Sequence, residues 1–317
     1  MQRRLARKCI SWLLIVVMLI TNMPLTTLAE VTELHQHEEM QDGHMESVED
    51  SEEMGQEGSG DAEIEDGQEV NVTVPTGNFG NILAAWLAKE MGLPIKKLIC
   101  ASNENKVLTD FFRSGNYDRR RSFILTSSPS MDILISSNLE RLLYWLAGSD
   151  ADQTARMMDL LTMMGSYQIT DEMRRSIPEF YGNYAAEQEV IETIKACADK
   201  YGYVMDPHTA VAACVSHKYQ AETGDDLPML IASTASPYKF PASVLRAVGE
   251  SCGDEDWKVL MDKLCRISGV AIPKAVTDLY DSPVCHTGNC VPADMERSVR
   301  KFLGLTDNAE MDNCCLK

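Results

Sequence analysis

The sequence divides sharply at Val70, and this division limits how much of the chain can form a core. Between Glu30 and Val70 there are 16 acidic residues, no Lys or Arg, and no aromatic residue. Such a segment buries too little apolar surface to offset the entropy of ordering its backbone, so residues 30–69 are predicted to be a disordered linker. Residues 71–317 carry a charge of only −7, against −19 for the whole chain. This acidity argues against nucleic-acid binding, which needs a basic face.

The first 29 residues have the layout of a secretory signal. A basic start with Arg3, Arg4, Arg7 and Lys8 precedes about 12 mostly apolar residues, and the segment ends at Ala29. The apolar run is shorter than the about 20 residues of a membrane-spanning helix. We predict cleavage after Ala29, with an uncleaved anchor as the alternative and the only route to membrane contact.

The remaining chain has the alternating elements of an α/β protein. Residues 70–74, 97–101 and 122–126 are predicted strands, and helices are predicted after the first two. This alternation implies a parallel sheet covered by helices. Amphipathic patterns predict further helices over 139–146, 157–164 and 187–201, with another starting at Asp206-Pro207, where Asp caps and Pro takes the first helical position. A short strand follows at 229–232, and two last helices lie around 257–264 and 297–302.

A glycine-containing turn between the first strand and the first helix is the strongest local signal. It reads Thr76-Gly77-Asn78-Phe79-Gly80-Asn81. The free N–H groups and positive dipole of a helix N-terminus suit an anion, and glycines let the anion approach. The turn lacks the three-glycine spacing of dinucleotide folds and the Gly-Lys-Ser/Thr of a Walker loop. Phosphate binding and an ordinary turn therefore both remain open from the chemistry alone.

Five segments in the same order resemble the threonine synthase family, whose members use pyridoxal phosphate (PLP). They are residues 74–82 around the glycine turn, Ser128-Pro129-Ser130-Met131-Asp132-Ile133-Leu134, residues 136–143, Asp206-Pro207-His208-Thr209-Ala210-Val211-Ala212, and residues 232–240. The resemblance spans roughly 71–250. It implies a three-layer, parallel-sheet domain of the fold type II, tryptophan-synthase-β-like class, here incomplete and with extra C-terminal helices.

The resemblance also implies site residues. The backbone of Gly77, Asn78, Phe79, Gly80 and Asn81 would hold the PLP phosphate, and Thr234 would approach the pyridine nitrogen. Residues 236–238 read Ser-Pro-Tyr where the family usually has His-Pro-Ala, so the surroundings of Thr234 differ. The phosphate of the substrate O-phosphohomoserine would be contacted by a set of polar residues: Ser130, Ser137, Asn138 and Arg141. Helix capping and plain surface positions are the alternative for that set. His208 and Thr209 are predicted to form a capping turn rather than to act in catalysis.

The segment that carries the Schiff-base lysine in this family is not found. PLP enzymes attach the cofactor to a lysine, which also moves protons. In the family this lysine precedes the glycine turn in a Ser-Phe-Lys-Asp-like context, whereas here only the leader and the linker precede it. No catalytic lysine is assigned. The sequence looks like the C-terminal half of the enzyme, so we expect an exposed apolar patch, covered by self-association or by an N-terminal half.

The cysteines bear on export and on metal binding. Cys100, Cys197, Cys214, Cys252 and Cys265 fall on predicted core elements, which is typical of buried free thiols in a reducing compartment. The leader, in contrast, favours secretion, so the location stays open. Cys285 and Cys290 flank His286, but a second ligand pair is lacking, and no metal site is predicted.

Two functional hypotheses follow, together with a division of the chain. The first is a threonine synthase-like reaction, from O-phosphohomoserine and water to threonine and phosphate, with this chain inactive alone. The alternative is an exported or truncated anion-binding module without catalysis, from a misjoined gene.

The predicted divisions of the chain are a leader over 1–29, a linker over 30–69, a PLP-binding domain over 70–250, and a helical extension of that domain over 251–317.

Overall fold

The computed structural model describes residue 64 and residues 67–285 and 287–305. The leader and nearly all of the linker, with the expectations attached to them, lie outside these residues. The described chain forms two compact units that divide after Val270. Among the described residues, no helix is long and apolar enough to cross a membrane.

The first unit contains six strands and nine helices among its described residues. The strands are β1 (Val70–Pro75), β2 (Ile95–Ser102), β3 (Asn116–Asp118), β4 (Ser166–Gln168), β5 (Phe180–Tyr184) and β6 (Met229–Ile231). The helices are α1 (Gly80–Glu90), α2 (Val107–Ser114), α3 (Leu139–Leu146), α4 (Ala151–Met164), α5 (Asp171–Arg175), α6 (Glu187–Tyr201), α7 (Pro207–Thr223), α8 (Pro241–Ala247) and α9 (Trp257–Ser268).

The main sheet is parallel throughout, with the strand order β5-β2-β1-β6. Val74 lies beside Cys100 of β2, and Thr73 lies beside Ile231 of β6. All four strands therefore end at one edge, which is where the glycine turn follows β1. This confirms the predicted α/β class with a parallel, helix-covered sheet.

Helices cover both faces of the sheet. Val74 packs into the main core with Ile82 of α1, whereas the Thr73 hydroxyl accepts a hydrogen bond from Ser216 of α7 at 2.8 Å. Successive strand residues point to opposite faces, so α1 and α7 lie on opposite sides and form the three predicted layers. Helix α7 is buried on nearly all sides, which fits a helix that is apolar all round.

The predicted strand over Ser122–Thr126 is wrong. This segment pairs with no strand, because the side-chain amide of Asn105 takes the place of a ladder partner. Its Nδ2 donates to the Ile124 carbonyl at 2.8 Å, and its Oδ1 accepts from the Ile124 N–H at 3.0 Å. The third strand beside β2 is instead β5.

A small second sheet was not predicted. Strands β3 and β4 pair antiparallel, and the rings of Tyr117 and Tyr167 stack at 5.2 Å between centroids.

Two further predictions, for Leu160 and for Cys252, are corrected by the structure. Leu160 on α4 is half exposed although its spacing placed it on the apolar face. Cys252 lies in the loop that follows α8 and Gly249, and Gly249 has a φ of 92°. Cys252 is therefore not on a core helix or strand.

The second unit, from Ala271, contains α10 (Lys274–Thr277) and α11 (Met295–Phe302). Neither helix buries a residue. Cys285 and Cys290 are exposed free thiols, and His286 lies outside the described residues. Across the part of the chain that the structure describes, no cluster of three or more metal-ligating side chains is found.

Candidate functional site

The glycine turn lies where β1 meets α1, at the carboxyl edge of the parallel sheet. Thr76 is buried, and its N–H donates to the Ala101 carbonyl of β2 at 2.8 Å, which continues the ladder to the start of the turn. Helix α1 then begins at Gly80. Ligands of open parallel sheets bind outside the carboxyl ends of the strands, so this is the expected place for a site.

Phe79 holds the turn in its shape. Its φ of 68° is a left-handed conformation that a bulky residue rarely adopts. The ring is fully buried and lies 6.0 Å from the ring centroids of both Phe112 and Phe180. Packing of the ring in the core thus offsets the backbone strain, and the phenyl group is directed away from the exposed side of the turn.

Gly77 packs against the segment that carries Ser130. A Cβ built on Gly77 would lie 2.7 Å from the Ser130 carbonyl oxygen and 3.1 Å from the Met131 Cα. No larger residue fits without a backbone shift. The Ser136 hydroxyl also donates to the Gly77 carbonyl at 2.7 Å. The turn is therefore fixed from one side by residues 130–136.

Asn78 connects the turn to α3. Its carbonyl accepts from the backbone N–H of Asn138 at 3.0 Å and from the Asn138 side-chain amide at 2.9 Å. Arg141 in turn donates to the Asn138 side-chain oxygen. Asn138 thus contacts the turn directly and Arg141 contacts it through Asn138, whose side chain is already engaged as a structural link. Ser137 is exposed beside them.

Most of the backbone N–H groups around the start of α1 have no hydrogen-bond partner among the described residues. Asn78 Oδ1 accepts from the Gly80 N–H at 2.9 Å. The N–H groups of Gly77, Asn78, Phe79 and Asn81, however, donate to no other described residue. Unpaired N–H groups at a helix N-terminus are an anion-binding arrangement, because the helix dipole adds to their partial charge.

Thr234 lies at the same edge, three residues beyond the end of β6, and is exposed. The Ala232 N–H still donates to the Thr73 carbonyl at 2.9 Å, so the residues directly after β6 lie beside β1. The neighbouring Ser233 hydroxyl lies 3.1 Å from that of Thr209. The structure thus places Thr234 on the side of the sheet edge where the turn lies.

Asp206, His208 and Ser130 form a link that the sequence did not reveal. Asp206 caps α7 by accepting from the N–H of His208 at 2.8 Å and of Thr209 at 3.4 Å, so the predicted capping turn is present. His208 is also buried with Nδ1 3.1 Å from Asp206 Oδ1, and its Nε2 accepts from the Ser130 N–H at 3.3 Å. An Nε2 that accepts leaves the proton on Nδ1, where the carboxylate holds it.

The pKa of Asp206 reflects this arrangement. Burial of the side chain works to raise its pKa, but the hydrogen bonds from His208 and Thr209 outweigh burial and hold it below the ordinary value. The carboxylate therefore stays charged at neutral pH and fixes the imidazole ring. The ring in turn holds Ser130, whose carbonyl lies against Gly77.

A buried polar cluster on the other side of Ser130 was also missed. Asp132 accepts from Nδ2 of Asn103 at 2.7 Å, from Nδ2 of Asn105 at 3.0 Å, and from the Thr126 hydroxyl at 2.7 Å. Asn103 Nδ2 also lies 3.0 Å from the Ser128 hydroxyl. A charged acceptor with this many donors rigidifies its surroundings. The only sequence signal is the polar run 102–105 directly after β2.

Comparisons with known proteins agree with this fold. Residues 209–284 match the family model "Threonine synthase, C-terminal". The chain is similar to human threonine synthase-like 1, with 44% identity over 184 residues, and to threonine synthase of Saccharomyces cerevisiae, with 37% identity over 219 residues. The chain is thus similar to part of the threonine synthases, and residues 209–284 are similar to their C-terminal family model.

Two solved structures show the same similarity. PLP-bound threonine synthase from Brucella melitensis superposes with a TM-score of 0.55 at 38% identity, over 64% of this chain and 42% of that one. The yeast enzyme gives 0.57 at 31%, over 75% and 48%. The human and yeast sequence matches cover 57% and 64% of this chain but 24% and 43% of those proteins. The chain therefore spans less than half the length of the threonine synthase relatives it matches.

Proposed function

We propose that this threonine synthase-like chain supplies the cofactor-phosphate cradle and part of the substrate site of a PLP-dependent enzyme acting on O-phosphohomoserine. The observation that supports this most directly is the set of backbone N–H groups around the start of α1 that have no acceptor among the described residues. A phosphate needs several such donors, and the helix dipole adds to their partial charge. The close packing of Gly77 on the Ser130 carbonyl holds the turn in place. The Brucella relative is itself PLP-bound.

The cradle fits a phosphate for two further reasons. The turn is rigid, because Phe79 is anchored in the core and Ser136 and Asn138 hold two of its carbonyls. Its donors are backbone amides, which keep their hydrogen-bonding capacity at any pH. A preorganised set of donors binds an anion without an ordering cost at the moment of binding.

Each proposed residue has a separate role. PLP, when bound, supplies an electron sink for the carbanions of the reaction. The Thr234 hydroxyl would face the ring nitrogen as a neutral donor. The exposed guanidinium of Arg141 and the hydroxyls of Ser130 and Ser137 would hold the substrate phosphate, because charged donors bind phosphate most strongly. Asn138 would keep Arg141 oriented.

We further propose that this chain alone does not turn over substrate. The printed sequence has no segment like the one that bears the attachment lysine in the family. Without it, neither covalent attachment nor proton transfer at the substrate carbon is provided. Productive chemistry then needs a chain that carries the N-terminal half of a threonine synthase.

The test combines binding with activity. We expect the full chain to bind PLP, seen as a shifted or broadened phosphorus-31 resonance, but to release no phosphate from O-phosphohomoserine. Addition of the N-terminal half of the yeast threonine synthase should produce phosphate release. Release by the chain alone would overturn the proposed inactivity.

A competition experiment separates the alternative. Inorganic phosphate displaces PLP only weakly if the turn and Thr234 recognise the cofactor together, and Thr234→Val then weakens PLP but not phosphate. An anion-binding module without catalysis would bind the two equally and would be insensitive to Thr234→Val. Absence of any binding of PLP or phosphate would contradict both readings.

A further inference from the structure

A cavity lies behind the Ser127–Ser130 segment, lined by α6 and α8 and the first residue of α7. Its volume is about 110 Å³. One water takes up about 30 Å³ in the liquid, so the cavity has room for about four water-sized groups. That is enough for a small molecule of a few non-hydrogen atoms.

The cavity carries one acid and one base that are not paired with each other. Glu187 at the start of α6 accepts from the Ser127 N–H at 3.2 Å, which leaves most of its acceptor capacity unused. Arg246 on α8 forms no ion pair with any acidic residue that the structure describes. Both side chains line the same space.

A third polar group in the cavity also lacks a partner. The Ser127 hydroxyl is shielded from solvent and makes no hydrogen bond to any described residue. A buried hydroxyl without a partner costs free energy, so native structures satisfy such groups with water or with a ligand. Ile191 and Ile194 form an apolar wall in the same cavity.

We propose that this cavity binds a small zwitterionic α-amino acid. A ligand with only a negative charge would be repelled by Glu187, and a ligand with only a positive charge would be repelled by Arg246. A molecule that carries both charges therefore suits the lining best. Its carboxylate would take the fork of the Arg246 guanidinium, and its ammonium group would donate to Glu187. A short aliphatic side chain would then pack on Ile191 and Ile194, with Ser127 completing the contact.

The site is separate from the cofactor turn and needs no cofactor. It nevertheless touches the segment that supports the turn, because Ser127 is followed by Ser128 of the Asp132 cluster and by Ser130, which lies against Gly77. An amino acid bound there would hold Ser127 in place and so stabilise the segment behind the cradle. Binding of an amino acid in this cavity is therefore distinct from the proposed reaction and does not depend on it.

L-Alanine is the probe, titrated calorimetrically into the full cofactor-free chain in a buffer without carboxylates or primary amines. We expect saturable binding to one site and at least tenfold weaker binding to Arg246→Met and to Glu187→Gln. Acetate and ethylammonium each satisfy only one of the two charges and should bind at least tenfold more weakly than alanine.

Matched variants control for nonspecific effects. Arg266→Met on α9 and Glu192→Gln on α6 remove the same charges outside the cavity and should leave alanine binding unchanged. Asn81→Pro, which removes one backbone N–H of the cofactor turn within the first turn of α1, should also leave it unchanged. Circular dichroism checks that every variant is folded.

Three results would overturn the inference. The first is no saturable binding of alanine up to its solubility limit. The second is acetate binding as tightly as alanine, which would indicate a simple anion site. The third is a loss of alanine binding in Asn81→Pro but not in Arg246→Met, which would place the ligand at the cofactor turn.

Discussion

Gly77 lies where any side chain would collide with the backbone of the neighbouring segment. In Gly77→Ala the new Cβ would lie 2.7 Å from the Ser130 carbonyl oxygen, so the turn and residues 130–131 must separate. We expect the free energy of unfolding to fall by about 1–3 kcal/mol, which is typical of overpacking. PLP affinity should fall as well, because the amides of the cradle move. Urea unfolding and PLP titration measure the two effects.

Gly253→Ala is the matched control for this change at the residue scale. A Cβ at Gly253 meets nothing within 4 Å, and its φ is not in the left-handed region. The control should therefore keep the wild-type stability and PLP affinity. If Gly77→Ala behaves like Gly253→Ala in both measurements, the close approach of the two segments is not essential to the cradle.

The start of α7 shows how an element joins a site. Asp206 caps the helix and also holds His208, and its pKa is below the ordinary value of about 3.9. A carboxyl group whose pKa is lowered by folding stabilises the protein above that ordinary value and loses the contribution as the pH falls. We therefore expect Asp206→Asn to lower the free energy of unfolding by about 1–3 kcal/mol at neutral pH. The difference from wild type should shrink below about pH 4.

Asp256→Asn is the comparison for this element. Asp256 caps α9 by accepting from the Lys258 N–H at 2.8 Å, but it is exposed and holds no histidine. We expect a smaller stability difference at neutral pH, measured by urea unfolding between about pH 3 and 7. A difference for Asp206→Asn that did not change over this range would show that the carboxylate charge is not what stabilises the turn.

The same element shows what the sequence could and could not predict. The Asp-Pro cap, the buried stripe of α7 and the glycine turn were visible, because each depends on residues within a few positions of one another. The contact of His208 with Ser130 spans 78 positions, and no local pattern encodes it. The strand predicted over Ser122–Thr126 is wrong for the same reason, because a contact from outside the segment determines its structure. Its apolar residues suit a strand, but its partner is the side chain of Asn105.

At the scale of the whole molecule, large apolar residues are exposed at many positions, including two groups of neighbouring residues. Leu125 is 84% exposed and Phe123 52%, both in the segment before Ser127. On the outermost strand of the sheet, β6, Leu230 and Ile231 are 45% and 36% exposed. An unpaired edge strand with apolar side chains is prone to pair with another chain. These two groups are candidates for the apolar surface that the sequence predicts.

We expect the full chain to self-associate through this surface when no N-terminal half of a threonine synthase is added. The double variant Phe123→Ser/Leu125→Ser should shift the chain towards the monomer, because it removes apolar area that association would bury. Met91→Ser at the end of α1 removes a side chain of similar size that is 75% exposed, and it serves as the control. Sedimentation velocity over a range of concentrations measures the change. A wild-type chain that stays monomeric throughout, or a control that dissociates as readily as the double variant, would show that the residues before Ser127 are not an association surface.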